Sequence, residues 1–548
     1  MSIRINRKIS CDVLVIGGGG AGIRAAATAA DRVEKVILLS ETPIAESGST
    51  FYPLSFEWGM LSAVDREDAL TFEDEILTAA KGCVNPKLVE ILASGSMEAR
   101  AQFIREGLPL TPMRELHITG CFGREPRGDF LRDMDVFIRS QRSLVKDHPH
   151  IQMMIGTAVS LIQTDQVCTG ALAVDEKGEL IQLNAKAVVM AAGGGEGLYE
   201  HRASHGALYG NGYAMAARRG ARIVNLEFIQ FVPGTVEPIR FVNYFPFLLG
   251  EHPRVTNGRD EPCMEKYLPE GVTCEMALDA HAKHGPFTCE DDGKYLEYAM
   301  VGEAAAGNGQ GIKLWPDPAK MQDERALHWK EFLHKIGYDE GTVMLIYPMA
   351  QGFNGGILLQ DDLSTDIPGL FACGESSGGL HGPDRMGGLC ILATQVFGKK
   401  AGEAAAAFAG KQIQPDPSES DVLHQLERDY ETDGQECGTP DSVLGQIRHI
   451  MQENACLHRN SKGLEEGIRS LEALNLKPLQ HMNAPDTAFY FRASGAVDAA
   501  RLILTAMANR KESRGSHDRA DYPAHDDSLL KMQWVSMNHH RIDGGVVS

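Results

Sequence analysis

Two stretches of this 548-residue chain carry residues that could do chemistry. The first is His381-Gly382-Pro383-Asp384-Arg385-Met386-Gly387-Gly388. An imidazole there can hold or pass a proton near neutral pH, and a guanidinium fork suits a carboxylate or another oxyanion. His381 and Arg385 are therefore the candidate catalytic residues of that stretch. The second is Gly17-Gly18-Gly19-Gly20-Ala21-Gly22, which matches G-x-G-x-x-G. Gly17 permits a tight turn, Gly19 lets the backbone approach a pyrophosphate, and Gly22 lets helix and strand pack closely. With Gly20 and Ala21 at a helix start, free N–H groups and a positive dipole end face the phosphates.

These residues need particular elements to hold them. Val13 to Ile16 form a short apolar run, as expected of a strand covered on both faces. A second strand, Lys35 to Leu39, ends at Ser40-Glu41, where the ribose of a dinucleotide is normally held; either side chain can accept its hydroxyl. The polar loop Ala45 to Thr50 places Gly48, Ser49 and Thr50 where backbone N–H groups can wrap a phosphate or a ring edge. Residues 67 to 107 read as helices, with apolar stripes at Phe72, Ile76, Ala79 and at Leu88, Ile91, Leu92. The loop from His117 to Arg127 is polar enough to reach an active site. Strands are expected at Ile151–Val159, where Ala158 could touch an adenine, and at Cys168–Val174, Leu180–Leu183 and Ala187–Met190.

The last of these runs into a second glycine turn containing Ala192, Gly193 and Gly194. Two such turns suit a large dinucleotide touched at several points. A helix is expected from Gly210-Asn211-Gly212, and a strand at Ile367–Ala372 closing on Gly374-Glu375. After Gly388 an apolar helix opens through Cys390 and Ile391, whose first N–H groups could neutralise an electron-rich ring. Residues from about 418 onward read as helical and charged, and the last residues as a mobile tail.

Bulk composition narrows the options. With 43% hydrophobic and 23% charged residues the chain is of the ordinary globular kind. A net charge of -21 with no Lys/Arg block speaks against a nucleic-acid partner. Neither an apolar signal core after the lead-in Met1 to Lys8 nor a run of roughly eighteen apolar residues is found, so a cytoplasmic protein without a membrane span is expected. Eleven cysteines include no C-x-x-C pair, which argues against a cluster, a zinc site or a disulfide framework. No metal site is expected; the loose set Cys274, His281, His284 and Cys289 lacks ligand spacing.

The motifs, taken in order, resemble the flavoprotein family of succinate dehydrogenase, fumarate reductase and L-aspartate oxidase. They are the first glycine turn, Ser40, Ala192-Gly193-Gly194, Gly210-Asn211-Gly212, Pro368-Gly369-Leu370-Phe371-Ala372-Cys373-Gly374-Glu375, the His381–Gly388 stretch, and Glu512 to Pro523. The resemblance implies FAD. It also implies an α/β fold: a Rossmann-like FAD-binding domain (1–235 and 345–410) with an inserted α+β capping domain (236–344) and a C-terminal helical domain with a tail (411–548).

The chain departs from the family on the substrate side. Membrane-bound members tether FAD through a histidine before a threonine; Ser49-Thr50 stands there, so non-covalent FAD is expected. Gln-Phe-His-Pro-Thr appears as Gln230-Phe231-Val232-Pro233-Gly234. Arg-Gly-Glu-Gly-Gly is absent; the nearest text ends at Arg254, a third candidate for catalysis. His-Tyr-x-Met-Gly-Gly appears as Gln351-Gly352-Phe353-Asn354-Gly355-Gly356. Arg385 keeps the place of the family's carboxylate clamp.

The leading expectation is an FAD-dependent oxidoreductase that exchanges a hydride between flavin N5 and a small anionic substrate other than plain fumarate. Electrons would pass through oxygen, a quinone or a separate iron–sulfur subunit. One alternative is an FAD-carrying electron-transfer subunit of a larger redox complex. The other is a dicarboxylate or L-aspartate enzyme with relocated catalytic groups.

Overall fold

A computed structural model describes residues 4–55, 57–430, 438–476, 484–538 and 541–547. Its central sheet forms around strand Arg7–Ile16. This strand lies parallel between Val36–Ser40 and Leu180–Met190, and Leu370–Ala372 pairs parallel with the far side of the latter. Ile151–Thr164 runs parallel to Val36–Ser40, then turns into an antiparallel meander with Val167–Asp175 and Leu180–Met190. Val13 to Ile16 and Val36 to Leu39 are fully buried, which is why their text is continuously apolar rather than alternating.

Register decides where a ligand can go. Ile16 pairs with Leu39 and with Met190, and Ala372 pairs with Met190. Four parallel strands therefore end level. Their next residues, Gly17, Ser40-Glu41, Ala191-Ala192 and Cys373-Gly374, meet at one carboxyl rim, the usual ligand edge of such sheets.

Helix Gly20–Ala30 packs under this rim against the long helix Leu389–Ala409. The stripes expected at residues 67 to 107 lie on helices Arg66–Ala80 and Pro86–Arg105, started by Asp65 and Asn85 side chains accepting backbone N–H groups. A four-stranded sheet joins Ile229–Glu237, Met344–Phe353, Ile312–Trp315 and Arg254–Asn257 in that order. A separate apolar core, including Leu249, Leu278, Met300 and Trp329, fills residues 242–346. Helices Glu419–Asp429, Pro440–Ala455, Ser461–Ala473 and Ala484–Asn509 follow. Among the described residues no helix is long and apolar enough to cross a membrane.

Two expectations are corrected. Leu180–Leu183 and Ala187–Met190 are one strand of eleven residues, because the polar Asn184 between them accepts a hydrogen bond from Gln182 Nε2 at 2.8 Å and stays in the sheet. The end of the chain is not loose: Gln533–Asn538 and Arg541–Val546 form a hairpin, and the first of these pairs with Ile223–Val224. Of the lead-in, Met1 to Ile3 lie outside the described residues.

Candidate functional site

A cavity of about 690 Å³ opens at the carboxyl rim. Gly17, Gly19, Gly20, Ala21, Ser40, Glu41, Gly48, Ser49 and Thr50 line it, with Ala158, Ala192, Gly193 and Asn211. So do Gly374, Glu375, His381, Arg385, Gly388, Cys390 and Ile391. Gly22, Gly194 and Arg254 do not. Gly22 works from behind: a Cβ there would stand 1.8 Å from the Gly17 carbonyl oxygen. Gly194 instead makes room for the carboxyls of Glu375 and Glu196. Arg254 is exposed on the edge strand of the second sheet, its guanidinium 4.2 Å from the Trp315 ring centroid. It holds a surface aromatic rather than the cavity, since the strand that carries it pairs only with Ile312–Trp315.

The rim is built to receive an extended anion. Helices Gly20–Ala30, Asn211–Ala217 and Leu389–Ala409 begin at the cavity on Gly19, Gly210 and Gly388, none with a side-chain cap. Apart from the Leu389 N–H, which donates to the Met386 carbonyl at 3.2 Å, their first N–H donors are left for a ligand. A Cβ at Gly19 would meet nothing within 4 Å, so the turn leaves an open cradle there. Ser49 Oγ, Asn211 Oδ1 and Gln230 Oε1 are buried without a protein partner, and all three residues line the cavity. Buried polar atoms without partners are costly, and the ribityl, phosphate and ring groups of FAD offer such partners. The residues present thus fit FAD. Glu41 stands at the rim with Arg492 at 3.2 Å.

Beyond the rim the lining changes character. Arg385 is buried, its Nε donates to Asn354 Oδ1 at 3.2 Å, and Gln230 Nε2 fixes its carbonyl at 2.8 Å. Among the described residues no carboxylate pairs with its guanidinium. His381 is buried and its Nδ1 has no partner. Burial and then the Arg385 charge push His381 down to about 3, so its imidazole is neutral at physiological pH. Val232 and Gln351 line the cavity, as do His117 to Cys121 of the polar loop.

Sequence reasoning missed Arg325, Lys283 and Glu57 on this side. Arg325 bonds Glu57 at 2.7 Å and lies over Phe247, Phe130 and Phe245 at 4.7, 5.2 and 5.8 Å. It sits in a polar helix with no motif around it. Gln230 and Asn354 stood inside quoted motifs, and the signal available was their place beside the altered positions.

The stretch Glu512 to Arg519 supports the Arg385 loop from outside. Ser516 Oγ donates to the Pro383 carbonyl at 2.8 Å, and Asn354 Nδ2 donates to the same oxygen at 3.2 Å. Lys81 pairs with Asp384. Arg510, fully buried, donates to Glu227 at 2.6 Å and Glu512 at 2.8 Å, and Arg514 pairs with Glu512 at 2.6 Å. Among the described residues no group of three or more His, Cys, Asp or Glu stands close enough to hold a metal. His281 instead faces Glu297 at 2.5 Å, and His284 faces Asp291 at 3.2 Å.

A glycine turn at the rim of a parallel sheet, three helix starts without side-chain caps and partnerless polar atoms define a dinucleotide-binding protein. Known proteins agree with that class. Residues 12–254 match the FAD binding domain, and residues 445–543 match the fumarate reductase flavoprotein C-terminal region. The chain is an FAD-dependent oxidoreductase. Over most of its length it is similar to flavoproteins named fumarate reductase and L-aspartate oxidase. An FAD-dependent oxidoreductase of Methanocaldococcus jannaschii, described as uncharacterized, is 28% identical over 93% of this chain and 94% of its own. A chain of the CoM/CoB fumarate reductase of Methanothermobacter marburgensis is 27% identical over 94% of each sequence. The solved structure of Escherichia coli quinol fumarate reductase shares the fold, with a TM-score of 0.79 at 20% identity over 98% of this chain and 97% of that one.

Proposed function

We propose that the cavity binds FAD non-covalently and exchanges a hydride with a small anionic substrate other than plain fumarate. Bound FAD supplies the hydride chemistry. The observation that carries the substrate reading is Arg385: a buried guanidinium with an Asn354 contact and no carboxylate partner among the described residues. An unpaired buried cation is costly, so its site favours an incoming anion. Gln230 holds the Arg385 backbone, and Asn354 aims the guanidinium. Neutral His381 can donate or accept a hydrogen bond there without adding charge. Val232 and the Phe245 and Phe247 rings give the substrate side apolar walls that keep water out.

Ser49 before Thr50 supports the non-covalent attachment. A separate iron–sulfur protein is the proposed electron partner, on the grounds that the chain lacks paired cysteines of its own; co-purification from the native source tests this. The substrate reading is tested by adding fumarate, succinate, L-aspartate and a panel of other small acids to the purified flavoprotein. Reoxidation or reduction of the flavin by an acid outside the first three is expected. Turnover with fumarate matching any other acid overturns it.

A further inference from the structure

Behind Arg385 stands a pair of carboxyls that the proposed hydride chemistry does not use. A Cβ built at Gly194 would lie 2.6 Å from Glu375 Oε1 and 2.8 Å from Glu196 Oε1, so both side chains converge on one spot. Glu196 is fully buried, and neither of its oxygens has a donor from the protein. Glu375 Oε1 accepts the Phe353 N–H at 2.7 Å. A Cβ at Gly352 would stand 3.4 Å from both Glu375 Oε1 and Arg385 Nη2. Glu196, Glu375 and Arg385 thus follow one another through the wall of the cavity.

Two ionised carboxylates cannot share a buried site of this kind. Both are acceptors, so the contact is repulsive until a proton enters it. One proton turns it into an O–H···O⁻ bond and leaves a net charge of -1. We propose that Glu196 and Glu375 hold a single proton between them at neutral pH, and that this proton keeps Arg385 available for the substrate anion. If it leaves to solvent, the pair carries -2 beside the guanidinium, and the site passes from neutral to a net charge of -1 that repels an incoming anion. Glu196 is a positioning residue acting through Arg385, and the proposal rests on Arg385 being the anion site.

The surroundings agree. Burial and then the Glu375 charge drive Glu196 well above the usual carboxylate range, while Arg385 opposes. The other groups facing the pair are Tyr199 and Tyr213, both raised by burial and hence neutral. Tyr213 donates its hydroxyl to the Glu375 backbone carbonyl at 2.8 Å rather than to either carboxyl. By linkage, a group raised on folding lends stability below its titration and loses it as the pH rises through that point. Anion affinity at Arg385 follows the same course.

The test uses the flavin-loaded protein, wild type and Glu196→Gln, with malonate as probe and the flavin absorbance change as readout. In the wild type the apparent Kd rises by about tenfold per pH unit above the titration of the pair. The amide introduced by Glu196→Gln imitates the protonated carboxyl, so the variant profile is flat. Infrared spectra show a protonated-carboxyl C=O band in the wild type that the variant lacks. Malonate binding with the same pH profile in both proteins overturns the proposal, as does the absence of that band from the wild type, a result that stands even if the variant fails to fold. If malonate perturbs neither protein while the band is present, the reading of Arg385 as an anion site falls and the linkage with it.

Discussion

Replacing Gly22 or Gly19 with alanine separates two jobs inside one glycine motif. At Gly22 the new methyl would sit 1.8 Å from the Gly17 carbonyl oxygen, which is itself backbone and cannot swing away. Ordinary carbon contacts lie near 3.5 Å, so helix Gly20–Ala30 must retreat from strand Arg7–Ile16 by more than about 1 Å. Overpacking of this kind costs about 1–3 kcal/mol, and a backbone-to-backbone clash belongs at the upper end. About 3 kcal/mol lowers the folded-to-unfolded ratio on the order of 100-fold. Gly19 is different. Its φ of -77° suits any residue, and its Cβ would meet nothing within 4 Å. Gly19→Ala should therefore leave the flavin-free protein as stable as wild type. It fills the cradle, and a loss of about 1.4 kcal/mol or more in FAD binding is a tenfold weaker Kd. Urea unfolding of the flavin-free proteins and FAD titration by fluorescence quenching measure the two effects. Gly22→Ala with wild-type stability, or Gly19→Ala with wild-type FAD affinity, would refute the division.

Other expectations are as direct. Arg385→Met should retain flavin but weaken small-acid binding by about 2–5 kcal/mol, roughly 30-fold to several thousand-fold, read from the flavin spectrum; unchanged binding removes the clamp. Arg385→Lys keeps the charge without the fork and should recover only part of the affinity. Arg510→Met leaves Glu227 and Glu512 buried with one cation fewer and should cost about 3–5 kcal/mol of stability, measured by urea unfolding; a change under about 1 kcal/mol would mean the network is not coupled as its distances imply. Glu512 is held below the usual carboxylate range by Arg514 and Arg510 against the opposing effect of burial. Its contribution is present above the unfolded carboxylate pKa and is lost as the pH falls through the folded one, so Glu512→Gln should flatten the acid side of the stability profile. Acid precipitation should release flavin into the supernatant, and yellow colour held in the pellet would contradict the Ser49 reading.

Much of the cavity rim was legible because its chemistry is local. Gly17 to Gly22, Ser40, Ala192-Gly193 and Gly374-Glu375 each follow a short apolar strand, and strand ends in register must meet. Substrate-side residues were harder to find. Arg325 reaches the cavity from a helix that sequence marks only as polar, and Glu57 precedes a strand of three residues. Arg254 misled because it was placed by text alone, whereas its position depends on which edge of the second sheet its strand occupies. Glu196 was hidden inside a glycine turn: nothing local says that residue 196 will face residue 375. The final hairpin was missed because its pairing partner, Ile223–Val224, lies some three hundred residues earlier.

Strand Arg7–Ile16 has a kinetic consequence. It is the parallel partner of residues 181–190, and through them of residues 370–372. Contacts so distant in sequence must close large loops before they return any stabilisation, which makes the central sheet a slow element to assemble. Until residues 370–372 dock, the rim has no Gly374 turn and FAD has no complete seat. A cofactor that binds only the finished rim stabilises the folded chain by mass action. Flavin supply during expression should then govern how much of a weakened variant survives as folded protein, independently of what the flavin does in catalysis.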